Sequence, residues 1–147
     1  IVERWGGDLY HISVVYVANT LTAFILMNVM ASKIHLSNVT KFKIGVGSTT
    51  FVFIGLSFVT EWWMAMPFMS LVGATWAFLF IGGNFHLMEN NPRSTSTGIF
   101  SSTLSISTVI GPVIAGSIAF MFDYVAVMYF AIIIIIGAFL VSLKIKK

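Results

Sequence analysis

Residues 90–116 read NNPRSTSTGIFSSTLSISTVIGPVIAG, and the fold class turns on them. After the polar turn around Arg93, no charged side chain occurs from residue 94 to residue 122. A helix crosses the hydrocarbon core of a bilayer with about 20 such residues, so this run predicts a membrane helix. It is not a greasy one. Ser101, Ser102, Thr103, Ser105, Ser107, Thr108, Gly111, Ala115 and Gly116 crowd it with small side chains, and small residues let two backbones approach where lipid supplies no hydrophobic drive. Ser105, Thr108, Pro112 and Gly116 are spaced three, four and four apart and share one narrow face, with Gly111 at its border. Pro112 withholds a backbone donor and loosens the helix at mid-depth. These residues serve either as a hinge at a moving helix contact or as plain bundle packing.

The rest of the chain is of the same kind. Of its 147 residues 58% are hydrophobic and 9% charged, with a mean hydropathy of +0.97. No single soluble core could hide that much apolar surface. Apolar runs at residues 10–31, 44–60, 63–87 and 124–143 join the one at 98–122, which predicts an all-α polytopic bundle of five transmembrane helices in a single domain, residues 1–147. Run 10–31 carries Ser13, Tyr16, Asn19, Thr20 and Asn28, mostly toward one side. An Asn in lipid needs partners, so Asn19 is either interhelical glue or a solute contact. Run 44–60 is thinned by Gly45, Gly47 and Gly55, and Trp62-Trp63 follows where an aromatic belt is expected. In run 63–87, Ser70, Gly73, Ala77 and Asn84 lie near one face, Trp76 needs a partner for its N–H, and His86, close to the end and with no intramembrane acid to pair with, reads as a capping or snorkelling residue in preference to a proton relay. Run 124–143 is apolar all round and predicts a lipid-facing helix.

The cations set an orientation. Lys33, Lys41, Lys43, Arg93, Lys144, Lys146 and Lys147 fall on one side of this topology, and Arg4 alone on the other. By the positive-inside rule the first side, with the C-terminus, is cytoplasmic, in a plasma or inner cell membrane. The sequon Asn38-Val39-Thr40 then lies where no glycosylation enzyme meets it. The opening IVERWGG reads as the last turn and exit of an earlier helix, an expectation that upstream helices belong to the same protein.

Arg93 in a polar turn, a small-residue helix, Gly111-Pro112 and then Gly116 resemble the penultimate helix of the major facilitator superfamily of transporters. The segment WAFLFIGGNFHLMENNPRSTSTGIFSS, residues 76–102, resembles the junction between the fourth and fifth helices of that family's C-terminal half. The resemblance covers most of the chain in order and spacing. It implies a C-terminal half without its first helix, partnered by missing N-terminal helices, in which the runs 10–31, 63–87 and 98–122 border the central cavity. The loop at 32–43, SKIHLSNVTKFK, keeps only the basic character of the family's Gly-x-x-x-Asp-x-x-Gly-Arg-Arg-like loop, with neither its Asp nor its Gly. Any latch assigned to that motif therefore does not carry over.

Chemistry by elimination points the same way. The chain has no cysteine, hence no disulfide and no thiolate site. It contains no His-Glu-x-x-His pattern, nucleophile elbow or phosphate loop, and Glu3, Asp8, Glu61, Glu89 and Asp123 lie in loops or at span ends. The expectation is not an enzyme, with no cofactor, metal or nucleic-acid partner. Asn19, Ser70, Thr75, Trp76 and Asn84 are the candidates to line a cavity, and nothing charged at depth offers a counter-ion. The function that the resemblance implies is the C-terminal part of a secondary active transporter that moves a small organic or drug-like solute by alternating access, and the lack of charge at depth suits an uncharged or amphipathic one. The alternative is a small five-helix membrane protein with a structural, assembly or sensing role.

Overall fold

The helices begin on polar caps. In the computed structural model, which describes residues 7–89 and 91–145, α1 spans Leu9–Ser32 behind Asp8. Asp8 Oδ1 accepts from the His11 N–H at 3.0 Å, and the Asp8 N–H donates to His11 Nδ1 at 3.1 Å. This is a capping box with His in the place of the usual Glu or Gln. Ser37 accepts from the Thr40 N–H and opens α2, Asn38–Ser57. A 3-10 turn, Trp62–Met64, leads into α3, Ala65–Glu89, where Pro67 lies in the first turn and its missing donor costs little. α4 covers Arg93–Met121 and runs through Pro112 without a break. Asp123 accepts from the Ala126 N–H at 2.6 Å and starts α5, Tyr124–Leu143.

Among the described residues all regular structure is helical, and five helices are long and apolar enough to cross a membrane. The chain is therefore a multi-pass membrane protein. α2 starts at Asn38 and α4 at Arg93, before the apolar runs that begin at residues 44 and 98. The apolar run marks the hydrocarbon depth, whereas the helix starts wherever a cap satisfies its first donors, so the opening turns of α2 carry Lys41 and Lys43.

α3 lies at the centre, with α1 running parallel to it on one side and α2 antiparallel on the other; α5 packs on α2. One core cluster of Val15, Val52, Leu56, Val59 and Ala65 ties the three central helices together near the start of α3. A second, Met30, Ala77 and Ile81, holds the later turns of α1 and α3. Glycines permit the closeness, Gly73 and Gly82 above all. A Cβ on Gly73 would collide with the backbone carbonyl of Asn19, and one on Gly82 with the backbone of Phe42 and Asn38. α4 behaves differently. Ser96 is its one buried residue, donating to the Leu87 carbonyl at 3.0 Å, and Phe100 meets Phe80 edge-on at 5.4 Å. Beyond that first stretch it is mostly exposed, with Ala115, Ile118 and Ala119 half-buried.

The charges segregate by end. Lys33, Lys41, Lys43, Arg93 and Lys144 occupy the end where α1 and α3 finish, which we call the basic end; Asp8, Glu61 and Asp123 occupy the opposite one. At the basic end Lys43 donates to the Ile145 carbonyl at 2.9 Å, and the stem of Lys41 is buried. Glu89 also lies there, accepting from Asn38 Nδ2 at 2.8 Å and sitting 3.0 Å from His86 Nδ1, which pins the start of α2 to the end of α3. His86 thus has a carboxylate neighbour after all, at the helix terminus rather than at depth.

Candidate functional site

The close passage at Gly73 creates a cleft beside it. Because α1 and α3 touch there through backbone, the longer side chains on either side of the contact stand apart, leaving about 480 Å³ lined by Asn19, Thr20, Ala23, Phe24, Met27, Val72 and Trp76. Asn19 Oδ1 lies against Gly73, and no described residue hydrogen-bonds the Asn19 amide. The Thr20 hydroxyl donates to the Tyr16 carbonyl at 3.0 Å, which leaves its oxygen free to accept. Trp76 is 42% exposed with its ring 6.1 Å from that of Phe80, and its N–H has no partner among the described residues. No ionisable side chain lines the cleft. The lining can stack a ring on Trp76 or Phe24 and offer one amide, one indole N–H and one hydroxyl oxygen, but it cannot neutralise a charge.

The other residues singled out in the sequence lie elsewhere. Thr75 is buried on the α2 side of α3, gives its hydroxyl to the Val72 carbonyl at 2.9 Å, and lines a second, more apolar cleft with Ser48 and Phe78. Ser70 is half-buried and lines neither cleft. Asn84 shares the helical face of Gly73 and Ala77 toward the basic end, and its buried Oδ1 has no hydrogen-bond partner. Of the five cavity candidates, Asn19 and Trp76 come together and Ser70, Thr75 and Asn84 do not join them. Ser105, Thr108, Gly111, Pro112 and Gly116 are all exposed, and a Cβ on Gly111 or Gly116 would meet nothing within 4 Å.

One constellation was not read from the sequence. His11 Nδ1 lies 2.8 Å from Asp8 Oδ1 and its ring rests on that of Trp62, centroids 4.0 Å apart and planes 35° from parallel. The His11 N–H donating to Asp8 holds the Asp8 carboxyl below the usual carboxylate range, with the nearby imidazole adding to the effect. The signal was available as Asp-x-x-His at the head of an apolar run, a capping-box spacing with an unusual third residue. Among the described residues no three His, Asp or Glu side chains are grouped as a metal site would need.

Fold and cleft define a polytopic α-helical membrane protein with an uncharged, partly aromatic cleft between two parallel helices. No family model matches the chain, and neither a curated protein nor a solved structure does.

Proposed function

We propose that this chain is the C-terminal part of a secondary active transporter of the major facilitator kind, carrying a small uncharged or amphipathic organic solute by alternating access. The observation that carries the reading is the α1–α3 cleft, whose free amide and indole N–H stand at membrane depth with no charge beside them. Polar groups in that position are costly unless they are used, which marks them as functional by default. The open small-residue face of α4 supports the same reading, because it supplies a surface on which a second bundle could slide. The cations gathered at one end support a cytoplasmic placement of that end and of the C-terminus, in the cell membrane.

Counterflow in proteoliposomes of the full-length protein tests the proposal, with a panel of labelled neutral, cationic and anionic solutes of drug-like size. Saturable exchange should appear among the neutral and amphipathic members. Asn19→Ala and Trp76→Ala should each raise half-saturation about 10-fold or more, the loss of one desolvated hydrogen bond or stacking contact of about 1.4 kcal/mol. Exchange that ignores both substitutions would remove the cleft from the account. Absence of exchange for every solute would favour the structural or sensing alternative.

A further inference from the structure

The seam that holds the cleft is fastened at the end away from the cations by His11 of α1 lying on Trp62 of the turn that opens α3. The imidazole there faces two incompatible requests. Its Nδ1 is within reach of the Asp8 N–H, 3.1 Å away, which needs an unprotonated acceptor, and of Asp8 Oδ1, 2.8 Å away, which needs a donor. One nitrogen cannot do both at once: the neutral ring meets one request or the other according to its tautomer, whereas the protonated ring can only donate. The ring's other contact depends on the same proton. A neutral imidazole over an indole is a modest aromatic contact, whereas an imidazolium is a cation held over the face of the aromatic ring best suited to it.

We propose that His11 is a proton-operated clasp between the starts of α1 and α3. Without the extra proton, Nδ1 accepts the Asp8 N–H and completes the capping box. With it, Nδ1–H donates to the Asp8 carboxylate, the Asp8 N–H turns to water at its exposed position, and the charged ring is drawn onto Trp62. The seam is then fastened more tightly at this end.

The surroundings favour this behaviour. On its own element the ring has Asp8 and, edge-on at 5.8 Å, Tyr10. The 3-10 turn packed against it brings Trp62, with the Glu61 carboxylate one residue earlier, and the first turns of α3 carry no ionisable side chain. α5 begins at this end with Asp123, whose carboxylate is engaged by the Ala126 N–H. Among the described residues no Lys or Arg lies at this end. Histidine is the side chain that ordinarily changes charge between about pH 5 and 8. The clasp does not rest on the transporter reading, because the seam exists whatever passes beside it.

The absence of cysteine allows a direct test. Nitroxide labels at Leu9→Cys and Met64→Cys, both partly exposed, report the distance between the starts of α1 and α3 in the full-length protein held in lipid nanodiscs. Lowering the pH from about 8 to 5 should shorten and narrow that distance through a one-proton transition. His11→Gln should leave the distance independent of pH, since Gln keeps the capping box and takes no proton. Trp62→Leu should do the same by removing the cation's seat. A distance that does not respond to pH in the unsubstituted background overturns the proposal, as does a response that survives in either variant.

Discussion

At the residue scale, the chemistry of the cleft depends on what stands next to each side chain more than on the side chain itself. Asn19 and Trp76 are legible in the sequence as a polar and an aromatic group at membrane depth. Thr75 looks equally eligible, but the residue before Trp76 points about 100° away around the helix, toward α2. Which of the two faces α1 is fixed by Gly73, where the backbones meet, and that contact is not written in either residue. Gly73→Val should therefore destabilise the protein by about 1 to 3 kcal/mol, because the new side chain collides with the Asn19 carbonyl. Gly98→Val, in open space on α4, should leave the melting temperature in detergent unchanged. Equal effects of the two would mean that α1 and α3 do not pass as closely as described. Asp8 gives a second residue-level expectation. Its carboxyl is held below the ordinary value of 3.8 by the His11 N–H, so its stabilisation of the first turn is present above that value and is lost as pH falls through the depressed one. Amide exchange at His11, corrected for its intrinsic pH dependence, should stay protected at neutral and mildly acidic pH and rise only in stronger acid. Asp8→Ala should remove that protection at neutral pH.

At the scale of the element, α4 was the easiest helix to recognise and the hardest to place. Its uncharged length and its stripe of small residues follow directly from the sequence. The stripe says which face is thin but not what covers it, and among the described residues nothing does: Gly111 and Gly116 look onto open space. Within the chain, then, Gly111→Leu has no neighbour to strike. If, as proposed, the full-length protein is a transporter and another part of it slides on this face, Gly111→Leu should abolish transport while leaving the midpoint of thermal unfolding of this bundle in place. Pro112→Ala should act differently. It restores the backbone N–H that lies four residues after Thr108, so the helix becomes at least as stable while turnover slows. Normal turnover in Pro112→Ala would leave the stripe as packing surface alone. The helix most fully apolar in sequence, α5, illustrates the opposite limit. Its lack of polarity foretold lipid, and Ile133, Ile134 and Leu140 are indeed exposed, but Ser142 is buried and Phe139 fills the space over Gly47 of α2. A uniformly apolar helix can still own one specific contact, which hydropathy does not resolve.

At the scale of the whole molecule, the number of helices and the division of charge between two ends were legible, because both follow from length and from the position of each Lys and Arg relative to apolar runs. The order in which the helices pack was not, since α3 takes its central place through glycines and small contacts scattered along three runs. Charge division is also what gives the molecule a direction, and it can be tested without knowing any solute. The residues used as reporters should not be those that cap helices. Ser37 and Asp123 each hold the first turn of a helix, so replacing them risks fraying the segment whose side is being measured, by about 0.5 to 2 kcal/mol per cap. Leu36 and Phe122 sit beside them, are 44% and 74% exposed, and hold no cap with their side chains; Phe122 closes α4 only through its backbone N–H on the Ile118 carbonyl, which a Cys keeps. With Leu36→Cys and Phe122→Cys made singly in the full-length protein, a membrane-impermeant thiol reagent added to intact cells should label position 122 and spare position 36, and permeabilisation should make both reactive. Labelling of position 36 in intact cells would put Lys33, Lys41, Lys43 and Arg93 outside. It would also reverse the orientation on which the transporter reading depends, while leaving the pH-dependent clasp at the far end of the bundle untouched.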